Sequence, residues 1–198
     1  MQTTSQTYFS SDRIGDTLVP AFKAVITRPR EFFERMPIAE RYSNSLVLLS
    51  IYLTIPALIV SIFSGVVTVI VILPVSLITG IIATWMWAWY LSWAARVFCK
   101  APLTTPDAFQ VCTYSTAPLI FSWLPLVGAV AFFWNLFLNW QGLVSHGRVG
   151  GGAALLIILA AFIIMSLSLV VLAALLLMLA SQHGVQMHIS DFQQWQYL

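Results

Sequence analysis

Polar and charged positions crowd the first forty residues of the chain and almost vanish afterwards. No charged residue lies between Arg41 and Arg96, between Asp107 and Arg148, or between Arg148 and Asp191. Each of these runs exceeds the roughly 20 apolar residues that carry a helix across a bilayer. The first run predicts two crossings, at residues 45–63 and 69–98, with a turn at Ser64 and Gly65 and a kink permitted at Pro74. Three crossings would leave segments too short for a hydrocarbon core of about 30 Å. Residues 108–147 divide at Trp123, Pro125 and Gly128 into two further crossings, and residues 153–180, after Gly150, Gly151 and Gly152, read as one long span. Thr105, Pro106 and Asp107 read as N-cap, first helical residue and first-turn acid of the third crossing.

The pattern ahead of the first span is different. Ile14, Leu18, Phe22 and Val25 recur at helical spacing opposite Asp16 and Lys23, which predicts a helix lying in the membrane interface. A second short helix starts at Pro29, with Phe32, Phe33 and Met36 on an apolar side and Glu31 four residues ahead of Arg35. The expected fold class is therefore an all-α membrane protein of about five transmembrane helices with an amphipathic interfacial N-terminal arm. Its divisions are residues 1–41 for the arm, 42–181 for the membrane domain and 182–198 for a short tail.

Charge fixes the expected orientation. All nine basic residues precede the first span (Arg13, Lys23, Arg28, Arg30, Arg35, Arg41), follow the second (Arg96, Lys100) or follow the fourth (Arg148). Basic loops stay in the cytoplasm, so the N-terminus is expected there and the tail outside. The arm lacks the short apolar core and small-residue cleavage site of a signal peptide, which leaves targeting to the first span. A net charge of +2 gives no basic patch for nucleic acid. Cys99 and Cys112 flank a loop expected in the cytoplasm and read as free thiols.

Candidate chemistry is sparse. In the fourth span Asn135, Asn139, Gly142 and His146 recur at steps of four, three and four and so share a helix face. Such residues serve either interhelical hydrogen bonds or a polar pathway, and packing is the expected use, since no mid-membrane Asp or Glu accompanies them. The second span carries Trp85, Trp89 and Trp93, with Trp87 and Tyr90 beside them and Arg96 a turn beyond. This reads as an aromatic belt with a snorkelling arginine, or alternatively as a cation site. Gly80, Ala83 and Thr84 offer a small-residue face in the same span. His183 and His188 are five residues apart without completing ligands, so neither metal nor other cofactor is expected. Gly150 to Gly152 lacks the lysine of a phosphate loop, and no nucleophile, base and orienting acid assemble, so no enzyme is expected.

Several segments in order resemble the Yip family of multispanning membrane proteins, whose eukaryotic members interact with Rab-type GTPases. Pro29, Phe32 and Phe33 resemble its Pro-x-x-Phe-Phe-like lead-in; Asp107 to Phe109 resembles the opening of its third span; Tyr114, Ser115 and Pro118 resemble its Tyr-Ser-x-x-Pro segment. Trp134, Leu136, Leu138, Gly142, Leu143, His146 and Gly147 resemble its fourth-span signature. The resemblance covers about residues 21–181 and implies five spans and a cytoplasmic N-terminus. The Asp-Leu-Tyr-Gly-Pro-like element of trafficking members is missing, so the chain is similar to a short prokaryotic-like branch, at a bacterial inner membrane, and no GTPase partner is implied. The expected partners are the lipid bilayer and another membrane protein or a second copy of the chain. Transport along the fourth span and lipid handling by the tryptophan-rich second span are the alternatives.

Overall fold

Residues 8–39, 41–64 and 66–182 are described by the computed structural model, and they contain helices and no strands. A 3-10 turn at Ser11–Arg13 leads into α1 (Ile14–Thr27) and α2 (Pro29–Glu34). Then come α3 (Ser43–Ser64), α4 (Val66–Cys99), α5 (Thr105–Ser115), α6 (Pro125–Ser145) and α7 (Gly151–Gln182). The chain forms two compact units, Met1–Ile158 and Leu159–Leu198. The described part of the second unit is the remainder of α7, which exposes Leu159, Ile163, Leu167, Val170 and Leu175. An apolar helix whose surface is this hydrophobic is a membrane segment rather than a water-facing one.

Four helices among the described residues are long and apolar enough to cross a bilayer, covering Ser43–Ile62, Val69–Cys99, Pro125–Ser145 and Gly151–Ser168. The segment expected as the third crossing is different. It is the 11-residue α5 followed by a 3-10 turn at Ala117–Phe121. Pro118 has no N–H to continue the helix, and its ring would crowd the carbonyl of Tyr114. Thr116 and Ser115 add to the break by turning their hydroxyls onto the Thr113 and Val111 carbonyls, at 2.7 and 2.8 Å. Irregular backbone is tolerated at membrane depth only where protein surrounds it, and α5 packs among α3, α4 and α6. Ala108, Phe109, Val111, Cys112, Thr113 and Ser115 are accordingly buried.

The N-terminal arm docks on this bundle. α1 buries Thr17, Ala21 and Val25, while Ile14 is 41% exposed and Leu18 and Phe22 are half-buried. The buried stripe is thus rotated from the expected one, because the α1 face is set by α2 and the 3-10 turn after α5 rather than by lipid alone. Pro29 opens α2 as expected. Phe32, Phe33 and Met36 are buried in protein together with Leu48, Tyr52, Val111, Tyr114 and Leu138. The salt bridges formed on α2 are Arg30 with Glu34 at 2.8 Å and Arg28 with Glu31 at 3.8 Å, instead of Glu31 with Arg35. All four side chains are exposed, so these pairs add little.

α4 and α6 end alike. Lys100 (φ 51°) and Arg148 (φ 53°) hold left-handed backbone. The next amides, Ala101 and Val149, donate back to the carbonyls of Ala95 and Leu143. This Schellman closure buries Ala101, Leu103 and Val149 in one cluster with Leu91, Phe109 and Leu143. The N-terminus of α5 therefore lies beside the C-termini of α4 and α6.

Candidate functional site

Asp107 sits at that junction, in the first turn of α5, and is 4% exposed. Thr104 caps α5, accepting from the Asp107 amide at 3.3 Å and donating its hydroxyl proton to Asp107 Oδ2 at 2.5 Å. The cap is thus one residue earlier than expected from the sequence. Asp107 Oδ1 accepts the amide of Ala39, in the lead-in to α3, at 2.7 Å, and lies 3.6 Å from His146 Nε2 at the end of α6. The Asp107 carboxylate complements the dipole at the N-terminus of α5, and the His146 ring lies at the C-terminus of α6. One buried carboxylate thereby fastens the arm, α5 and α6 together.

The rest of the fourth-span stripe runs down α5 from this point. A Cβ on Gly142 would overlap the Cγ1 of Val111, so glycine is what lets α6 approach α5 there. Asn135 donates from Nδ2 to the carbonyl of Ser115 at 2.7 Å, satisfying a backbone acceptor freed where α5 breaks. Asn139 is 2% exposed; its Nδ2 donates to the Asn135 carbonyl at 2.9 Å, and its Oδ1 accepts from Trp87 Nε1 on α4 at 3.3 Å. His146, Gly142 and Asn135 thus meet Asp107, Val111 and Ser115 in antiparallel register, with Asn139 bridging to α4.

Of the other residues that carried the resemblance, Phe32 and Tyr114 meet on the other side of α5. The rings of Phe32 and Tyr114 meet edge to face at 4.8 Å, and the Tyr114 hydroxyl accepts the Phe9 amide at 3.1 Å. Tyr8 donates its hydroxyl to the Phe32 carbonyl at 3.1 Å. Burial pushes the Tyr8 phenol up despite the Arg35 guanidinium, so it remains a donor at neutral pH. Pro118 is buried at the break, and Phe22 packs edge-on against Tyr52 and Phe121. Trp134 stays 39% exposed beside Phe137.

The second-span aromatics are not part of this convergence. Trp85, Trp89 and Trp93 are 48%, 52% and 41% exposed on the outer face of α4. Trp93 meets Tyr90 and Phe98, and Arg96 donates from Nε to the Ser92 carbonyl at 3.1 Å. Only Trp87 turns inward to the stripe. Gly80 is used within the chain, where an added Cβ would lie 2.6 Å from Leu53 on α3. Cys99 and Cys112 are free thiols. No group of metal-ligating side chains occurs among the described residues, and His183 and His188 lie outside them.

Sequence reasoning missed the pairing of Asp107 with His146 and the roles of Thr104, Tyr8, Phe9 and Trp87. A signal existed for the pair: Asp107 is the sole acid between Glu40 and Asp191, and His146 the sole histidine before His183. Each is a costly residue in an apolar run, and each is the other's available partner.

A family model described as Yip1 domain matches residues 23–185, spanning the second half of the arm, the bundle and α7. No curated protein and no solved structure matches the chain.

Proposed function

Taking as premise that the chain belongs to the Yip1-domain family of polytopic membrane proteins, we propose that it is a non-enzymatic organiser, acting by association with another membrane protein or with itself. The arm and the adjoining helix ends form its working surface on the cytoplasmic side of a bacterial inner membrane. The observation that carries this reading is the way the polar residues are used. Asn135, Asn139, Gly142 and His146 each meet protein atoms of α5, α4 or their own helix. Polar groups already satisfied by neighbouring helices hold a bundle together, and they are poorly placed to replace the water shell of a passing solute. The orientation rests on the basic residues and on α5 with its 3-10 turn, which runs antiparallel beside α6 and carries the chain from the Lys100 side to the start of α6, so that a cytoplasmic arm goes with an outside tail.

Within the bilayer, beyond the arm, the surface offered to a partner is apolar. α4 offers exposed Ile78, Ile82, Trp85, Met86 and Trp89, and α6 offers Leu126, Val130 and Phe133. Shape-matched apolar packing is the main attraction between helices in lipid once polar groups are spent internally. Gentle solubilisation followed by mass measurement of the intact particle tests the proposal. A stoichiometric protein companion or a defined oligomer is expected; a monomer that carries a bound solute and no protein would instead support the small-transporter reading.

A further inference from the structure

A polar cleft of about 320 Å³ opens between the start of the arm, the lead-in to α3 and α5. Its walls include Tyr8, Arg41, Ser43, Asn44, Ser45 and Gln110, and no carboxylate among the described residues. We propose that this cleft binds a phosphate group, carried by a lipid headgroup or by a soluble phosphoester.

Three observations converge on an anionic occupant. The first is backbone. The Leu46 amide closes the first turn of α3 onto the Tyr42 carbonyl at 2.8 Å, which leaves the N–H groups of Ser43, Asn44 and Ser45 without acceptors inside the helix. Tyr42, at the capping position, has no short side-chain oxygen to accept them. These donors and the positive end of the α3 dipole belong to a 22-residue helix whose first three residues line the cleft.

The second is Ser45. It is 6% exposed, lines the cleft, and its hydroxyl has no hydrogen-bond partner among the described residues. Ser50, Thr79, Thr84 and Ser115 return their hydroxyls to a carbonyl one turn back. Ser45 does not, and its hydroxyl on the cleft wall is left to donate to an acceptor that enters. The third is charge. Arg41 lines the cleft and has no carboxylate partner among the described residues. The nearest described acid, Asp107, is engaged by Ala39, Thr104 and His146. Asn44 already accepts from Ser11 through Oδ1 at 2.8 Å, so the group it has left to offer is its NH2 donor. Guanidinium, amide N–H groups and hydroxyl together match the oxygens of a phosphate, and Gln110 Oε1, a buried acceptor without a partner among the described residues, can take the proton of a hydrogenphosphate.

The test uses the full-length protein in neutral-detergent micelles and reads hydrogen exchange of the 43–45 amides. The probes are inorganic phosphate at constant ionic strength, dihexanoyl phosphatidic acid, and dihexanoylglycerol as the phosphate-free control. Protection by both phosphate probes means a site open to soluble phosphoesters; protection by phosphatidic acid alone means a lipid headgroup site. In either case Arg41→Gln and Ser45→Ala are expected to weaken binding by about tenfold or more, the worth of one charge-assisted hydrogen bond. Arg41→Lys should restore part of it, and Arg148→Gln should leave it unchanged. Should Arg41→Gln fail to fold, Ser45→Ala decides, since it removes one hydroxyl. No protection with either phosphate probe, equal protection by dihexanoylglycerol, or unaltered affinity in both variants would overturn the proposal.

Discussion

α4 and α5 are the longest and the shortest of the helices that follow the arm, and they divide the labour of the fold. α4 has 34 residues, is apolar on every side and leaves Ile78, Ile82, Trp85, Met86 and Trp89 at the surface. α5 has 11 residues, contains Asp107, Gln110, Thr113 and Ser115, and is almost wholly covered. In a water-soluble protein the apolar helix would be the core. In lipid the order inverts, because hydrocarbon solvates Ile and Trp while only protein satisfies a carboxylate, an amide or a broken backbone. Hydropathy therefore marks where α4 meets lipid, and polarity marks where α5, α6 and the arm meet one another.

That contrast can be broken at defined points, with stability followed by unfolding in mixed micelles. Phe33→Ala, which empties a fully buried position where the arm docks on the bundle, is expected to cost about 3 to 5 kcal/mol. Asp107→Ala removes the acceptor of the Ala39 amide and strands His146; a loss of about 3 kcal/mol is expected, with faster hydrogen exchange at residue 39. Gly142→Val forces α6 away from Val111 and should cost about 1 to 3 kcal/mol. Asn135→Leu leaves the Ser115 carbonyl unpaired, for about 0.6 to 2 kcal/mol. Trp89→Leu on the outer face of α4 should stay within about 0.5 kcal/mol, and a larger loss there would mean that α4 is not the lipid-facing element described.

The long helices were legible in the sequence because a run free of charge has few other interpretations. α3, α4, α6 and α7 begin and end within three residues of the expected spans or their turns. α5 was misjudged in length because hydropathy does not distinguish a span from a short polar helix enclosed by spans. Pro118 was read only as part of a motif, although a proline in mid-span already argued for a break. The arm was legible as amphipathic, but its periodicity could not say whether lipid or protein covers it; Thr17, a buried polar residue bonding to the Arg13 carbonyl, belongs to the protein-covered case. The shared face of Asn135, Asn139, Gly142 and His146 followed from spacing alone. Their partners did not, since Ser115, Trp87, Val111 and Asp107 lie on other helices and one sequence carries no record of contact.

The central claim is that this stripe is a seam between helices and not a channel for solute. In a background with Cys99 and Cys112 replaced by alanine, Asn135→Cys and Asn139→Cys variants can be exposed, folded and inserted, to a membrane-impermeant thiol reagent, with a cysteine at Leu126, 86% exposed at the start of α6, as the accessible reference. Position 139, 2% exposed between α6 and α4, is expected to react only after unfolding, and position 135 far more slowly than 126. Ready labelling of both 135 and 139 in the folded protein would contradict the account and place water along that face.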